Sequence, residues 1–181
     1  GLNPRTDQIL ELGAVRIRNG RVEDTYAAFI NIGKKIPEFI VGLTGITDEM
    51  AAGGLPLEEA LDGFLDFCGE APILGHNVLF DYSFLKQKLV NAGRSFDREG
   101  IDTLALAKKF LPELPSRTLE ALCLHYGISQ EKKHRAYEDA LSAYRLYECL
   151  DREFFSASPA AFEPKPLVYQ VKKESPVTIS Q

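Results

Sequence analysis

Residues Gln8–Ile30 read QILELGAVRIRNGRVEDTYAAFI. Over Gln8–Arg18 the side chains alternate, with Leu10, Leu12 and Ala14 on one face and Ile9, Glu11, Gly13 and Val15 on the other, the period of a strand. Asn19-Gly20 follows, and Arg21–Asn31 ends in the apolar YAAFI. Asn-Gly between two strand-like runs predicts an antiparallel hairpin, because both residues tolerate the positive φ of the tight turn. Downstream, Lys34–Gly54 holds short helical pieces, with Pro37 suited to a first turn and Gly45 and Gly53 to stops. Leu57, Leu61, Phe64, Leu65 and Cys68 recur at three- and four-residue steps and predict a helix over Leu57–Cys68. APILGHN reads as a buried strand ending near His76, and Asp81–Asn91 as a helix stopped by Gly93. A short strand or turn is expected at Ile101, and helices over Thr103–Leu111, Thr118–Tyr126 and Arg135–Glu153. A hairpin followed by alternating helices and short strands is a mixed α/β fold.

The chain has 181 residues, 45% of them hydrophobic, which suits one globular domain. No apolar run approaches the roughly 20 residues of a membrane span, and residues 1–7 lack an apolar leader core. Three cysteines, Cys68, Cys123 and Cys149, argue against a disulfide scaffold and for a cytoplasmic protein. The formal charge of -5 argues against binding nucleic acid through many phosphate contacts, and leaves room for a small pocket that holds a strand end.

Polar chemistry concentrates in two places. GHNVLFDYSFL (Gly75–Leu85) puts His76 and Asn77 at a strand end, where sites gather in α/β sheets, and Asp81 at a helix start. HRAYEDA (His134–Ala140) puts His134 ahead of the last helix and Asp139 inside it. Each has a plain reading: Asp81 as a first-turn acid favoured by the helix dipole, and the second segment as a solvated polar face carrying Lys132, Lys133, Arg135 and Glu138. Together they offer two carboxylates for Mg²⁺ or Mn²⁺ and a histidine able to take a proton from water near neutral pH. Two ions about 3.5–4 Å apart would suit phosphodiester hydrolysis, and two aspartates are a thin ligand supply for them.

The two segments resemble motifs of the DEDDh branch of the DEDD 3′–5′ exonucleases, which includes the proofreading epsilon subunit of bacterial DNA polymerase III. H-N-x-x-F-D-x-x-F-L is matched by His76, Asn77, Phe80, Asp81, Phe84 and Leu85, and H-x-A-x-x-D-A by His134, Ala136, Asp139 and Ala140. ILELGAVRIRNG, LTGITDEM and IDTLALAKKFLPEL also resemble the family, over about residues 1–152. The resemblance implies a ribonuclease H-like mixed sheet flanked by helices. It implies Asp81 and Asp139 as ligands in a site for two Mg²⁺ or Mn²⁺ ions and His134 as the general base. It implies Gly1 and Leu2 against the terminal nucleotide, and Thr44 and His76 bordering the bound strand. The activity implied is removal of nucleoside 5′-monophosphates from the 3′ end of single-stranded DNA, with a DNA polymerase or a further C-terminal domain as partner.

One departure matters. The family's first motif is D-x-E-T-T-G-L, and the chain starts at its Gly-Leu. The expectation is an exonuclease domain, residues 1–152, without its first strand and acidic pair, nearly inactive alone and open beside the Gln8–Arg18 strand. Glu11 is read as structural rather than as a replacement ligand. Residues 153–181, with Pro159, Pro164, Pro166 and Pro176, read as a linker or extended arm in which LVYQV could pair as an edge strand. Two alternatives stay open: an exoribonuclease of the same family, since nothing in the residues separates DNA from RNA, and a non-catalytic module binding a nucleic-acid end or a polymerase.

Overall fold

In the computed structural model the described residues are 8–130 and 135–172. The hairpin forms as expected: β1 (Glu11–Arg18) pairs antiparallel with β2 (Arg21–Phe29), with a bulge between Arg16 and Ile17. Asn19 (φ 54°) and Gly20 (φ 74°) turn the chain. Two short helices follow, α1 (Glu38–Thr44) and α2 (Asp48–Ala52), then α3 (Leu57–Cys68) and the three-residue strand β3 (Ile73–Gly75).

Helix α4 (Val78–Asn91) starts three residues before the expected Asp81. Asn77 takes a left-handed conformation (φ 64°, ψ 52°) and its N–H donates to Asp102 Oδ1 at 2.8 Å, so His76 and Asn77 alone make the turn from β3 into α4. Strand β4 (Glu99–Asp102) pairs parallel with β3 and leads into α5 (Thr103–Phe110). Asp102 caps α5 through Leu104 N–H at 2.9 Å. Helices α6 (Leu119–Tyr126) and α7 (Ala136–Phe154) follow.

Beyond α7 the chain stays packed through residue 172. Two 3₁₀ turns (Phe155–Ala157 and Pro159–Phe162) seat Phe162 in the core, and β5 (Lys165–Pro166) pairs antiparallel with β4. Within LVYQV, the Leu167 N–H donates to Arg98 O at 3.0 Å, extending the β5 edge, and Leu167 and Tyr169 pack against the core of the hairpin and α4. The buried Gln87 amide accepts from Tyr169 Oη (3.0 Å) and Lys172 N–H (3.2 Å) and donates to Lys172 O (3.2 Å).

One apolar core lies between the hairpin, α3 and α4, around Leu12, Ile30, Leu61, Phe64, Tyr82 and Phe96. A second joins α5, α6 and α7 through Leu106, Leu122, Leu146 and Leu150. Among the described residues the strands form two separate sheets, β1-β2 and β3-β4-β5. Their facing edges, β1 and β3, border one trough of about 650 Å³, walled by α3, α4 and α7.

Candidate active site

The trough draws together residues far apart in sequence. Asp81, in the first turn of α4, and Asp139, in the first turn of α7, both line it, as do Phe80, His76 and Ala136. β3 stops at Gly75, where a Cβ would lie 3.4 Å from Asp81 Oδ2, so the strand end and the carboxylate sit side by side. The stripe Ala136, Ala140 and Ala143 on α7 leaves the trough wide along its length.

Crowding by protein raises the Asp81 carboxyl from 3.8 to about 6, and the charges of Asp102 and then Asp139 push the same way. The face of Asp81 toward the trough is open to water, which tempers the desolvation without reversing it. A carboxyl raised by a neighbouring carboxylate on one open groove suits a hard dication, which relieves the repulsion. Among the described residues no group of three or more His, Cys, Asp or Glu is arranged to hold a metal ion.

His76 also lines the trough, with both ring nitrogens engaged. Nε2 lies 2.8 Å from Arg117 O, so it carries the proton, and Nδ1 lies 2.8 Å from Thr103 Oγ1 and accepts from that hydroxyl. Burial holds the ring's pKa below 6.5, opposed by the Arg117 carbonyl and Asp102. The Thr44 hydroxyl donates to Ile40 O (2.8 Å) and accepts from Ile46 N–H (3.1 Å), closing the end of α1. His134, Gly1 and Leu2 lie outside the described residues.

Two residues that composition left on the surface or unremarked belong to this neighbourhood. Asp102 ties Asn77 to α5 and adds its charge to Asp81. Arg135, expected on a solvated face, is only 18% exposed at its side chain: its Nη1 is 3.7 Å from Glu11 Oε2 and its Nη2 donates to Thr44 O. Both contacts span large sequence separations and leave no local signal; the D-T that opens IDTLALAKKF does mark Asp102 as a helix cap. Glu11 is a structural side chain here. Oε1 accepts the Ala136 N–H at 3.0 Å, and burial raises its pKa against the Ala136 and Arg135 interactions.

Comparison with known proteins follows the same lines. The family model "RNase_T: Exonuclease" matches residues 1–147. The chain is 35% identical over 140 residues to the DNA polymerase III PolC-type of Clostridium perfringens, covering 77% of this chain and 10% of that protein. The chain thus spans about a tenth of the length of that relative. Its fold matches the nuclease domain of 3′hExo, a DEDDh family member bound to rAMP (TM-score 0.70, 16% identity, 87% of this chain and 85% of that one). It also matches Exonuclease X in complex with 5′ overhanging duplex DNA (TM-score 0.64, 18% identity, 80% and 83%). The mixed sheet flanked by helices is therefore the ribonuclease H-like arrangement of these exonucleases. Among the described residues no helix is long and apolar enough to cross a membrane.

Proposed function

The chain belongs to the RNase_T exonuclease family, and on that premise we propose that it is the catalytic part of a divalent-metal-dependent 3′–5′ exonuclease acting on single-stranded DNA ends. The observation that carries this reading is the meeting of Asp81 and Asp139 on one trough, where the charge of Asp139 adds to the cost of ionising Asp81. DNA as substrate is supported by the similarity to a DNA polymerase. A polymerase as physical partner is supported by the same relative, and a cytoplasmic setting agrees with it.

In this reading Asp81 and Asp139 hold Mg²⁺ or Mn²⁺, which when bound polarises the scissile phosphodiester and lowers the pKa of a bound water. His134, just ahead of α7, takes the proton from the attacking water. Gly1 and Leu2 hold the terminal nucleotide. Thr44 borders the strand at the end of α1. His76, its ring nitrogens spent on Arg117 and Thr103, contributes only the edge of a fixed ring. The products are nucleoside 5′-monophosphates.

Two carboxylates leave a two-ion site short of ligands. The open edges of β1 and β3 face the same trough, and a strand bearing D-x-E would pair there with both acids on one face. Residues 1–181 as an isolated polypeptide are accordingly expected to be nearly inactive. The lack of a three-ligand cluster among the described residues favours, as a second reading, a module that binds a nucleic-acid end without cutting it. Incubating 5′-labelled single-stranded DNA and RNA and Mn²⁺ with the chain extended at its N-terminus by a strand bearing D-x-E separates these readings. Ladders from the 3′ end of DNA, abolished by Asp139→Asn, support the exonuclease; retention of the end without shortening supports the module.

A further inference from the structure

Helix α7 is 19 residues long and carries Asp139 in its first turn, yet its N-cap position, Arg135, makes no side-chain cap hydrogen bond. An uncapped first turn frays, because its leading N–H groups lack partners. The missing acceptor comes from the other end of the chain: Glu11 Oε1 accepts the Ala136 N–H at 3.0 Å across 125 residues. Glu11 is 8% exposed at its side chain, and its charge lies at the positive end of the helix dipole. Its other oxygen is 3.7 Å from Arg135 Nη1, a charge pair beyond hydrogen-bond reach. Arg135 in turn donates from Nη2 to Thr44 O and lies 5.4 Å from the centre of the Phe29 ring. The Arg135 carbonyl accepts the Asp139 N–H at 3.0 Å, so whatever fixes Arg135 also fixes the backbone of Asp139.

From this geometry we infer that Glu11 is a positioning residue. It pins the first turn of α7, and with it Asp139, to β1, while Arg135 carries the same restraint to the Thr44 end of α1. The inference rests on the exonuclease reading only in giving Asp139 a metal to hold; the clamp itself is a statement about α7. Groups that orient a metal ligand are felt in metal affinity when they are removed.

The test uses the 181-residue chain and the variants Glu11→Ala, Glu11→Gln and, as control, Tyr26→Phe, which removes the Tyr26 Oη to Ala60 O hydrogen bond elsewhere on the hairpin. Residue-resolved hydrogen exchange and Mn²⁺ binding by electron paramagnetic resonance are read together. In Glu11→Ala the Ala136 and Asp139 amides should exchange about fivefold faster or more, while Leu146–Leu150 keep their protection. Mn²⁺ affinity should fall about 10- to 100-fold. Glu11→Gln should restore most of the Ala136 and Asp139 protection, since its amide oxygen still accepts from Ala136. Tyr26→Phe should lower Tm and move neither readout. Uniformly faster exchange along all of α7, unchanged exchange at Ala136, or Mn²⁺ affinity that falls equally in the control would overturn the inference. If the parent, short of ligands, binds no Mn²⁺, the exchange pattern alone decides the clamp, and the metal reading of Asp81 and Asp139 is tested in the chain extended by a strand bearing D-x-E.

Discussion

Gly13 of β1 lies against the start of α7 so closely that a Cβ on residue 13 would sit 2.3 Å from the Tyr137 amide nitrogen and 2.6 Å from the Ala136 Cβ. No rotamer relieves a clash with backbone, so strand and helix would have to part. This contact sets how near α7, and hence Asp139, stands to the hairpin.

Gly13→Ala should therefore destabilise the fold by about 1–3 kcal/mol, the usual cost of overpacking. In a domain of this size that lowers Tm by roughly 2–4 °C per kcal/mol. Thermal unfolding followed by circular dichroism checks it; an unchanged Tm would mean that β1 and α7 are not held in backbone contact.

Asp81 makes a prediction with a definite sign. Its folded pKa, about 6, lies above its ordinary 3.8, so the ionised carboxylate costs folded-state stability above pH 6. The cost fades as pH falls from about 6 to 3.8. In EDTA, Asp81→Asn should raise Tm near neutral pH by about 2–4 °C, corresponding to roughly 1 kcal/mol once water in the trough is allowed for. The gain should vanish by about pH 4. A gain that grows as pH falls would contradict the crowding assigned to this side chain.

His76 has the opposite sign. Burial lowers its pKa from 6.5, so its contribution is full above pH 6.5 and declines as pH falls below it. His76→Ala also strands the Arg117 carbonyl, at a cost of roughly 1–3 kcal/mol, while the Thr103 hydroxyl keeps the Gly75 carbonyl as an acceptor at 3.3 Å. Melting curves should show the parent's advantage over the variant shrinking below pH 6.5. An unchanged Tm joined to weaker DNA binding would move the ring's role from the scaffold to the bound strand.

Much of the fold was legible because its signals are local. Asn19-Gly20 makes the turn, and Gly45 and Gly53 follow α1 and α2. The alanines of the last helix mark the side that faces the trough. Asp81 and Asp139 were legible as a pair through their motifs, and the structure puts both on one groove. The rest was hidden because it depends on distant partners. The early start of α4 follows from the Asn77 N–H reaching Asp102. Arg135 is drawn inward by Glu11 and Thr44. Tyr169 and Lys172 are held by Gln87, a polar side chain inside a helix with no composition cue to mark it as buried.

Salt dependence offers a check on how the strand is held. The formal charge of -5 argues against a basic surface that displaces many counterions, so log-log plots of DNA affinity against salt should have a shallow slope. A loss of roughly a thousandfold between 50 and 200 mM salt would instead require about seven phosphate contacts on a single strand, more than this reading provides.

The most direct measurement compares residues 1–181 with the same chain extended at its N-terminus by a strand carrying D-x-E-T-T, each with Mn²⁺ and 5′-labelled single-stranded DNA. The account predicts little activity in the first, and in the second stepwise shortening from the 3′ end with release of 5′-mononucleotides. Asp139→Asn in the extended chain should abolish that release. Equal activity at both lengths, indifference to Asp139→Asn, or cleavage within a circular single strand would contradict a metal-dependent exonuclease site built on Asp81 and Asp139.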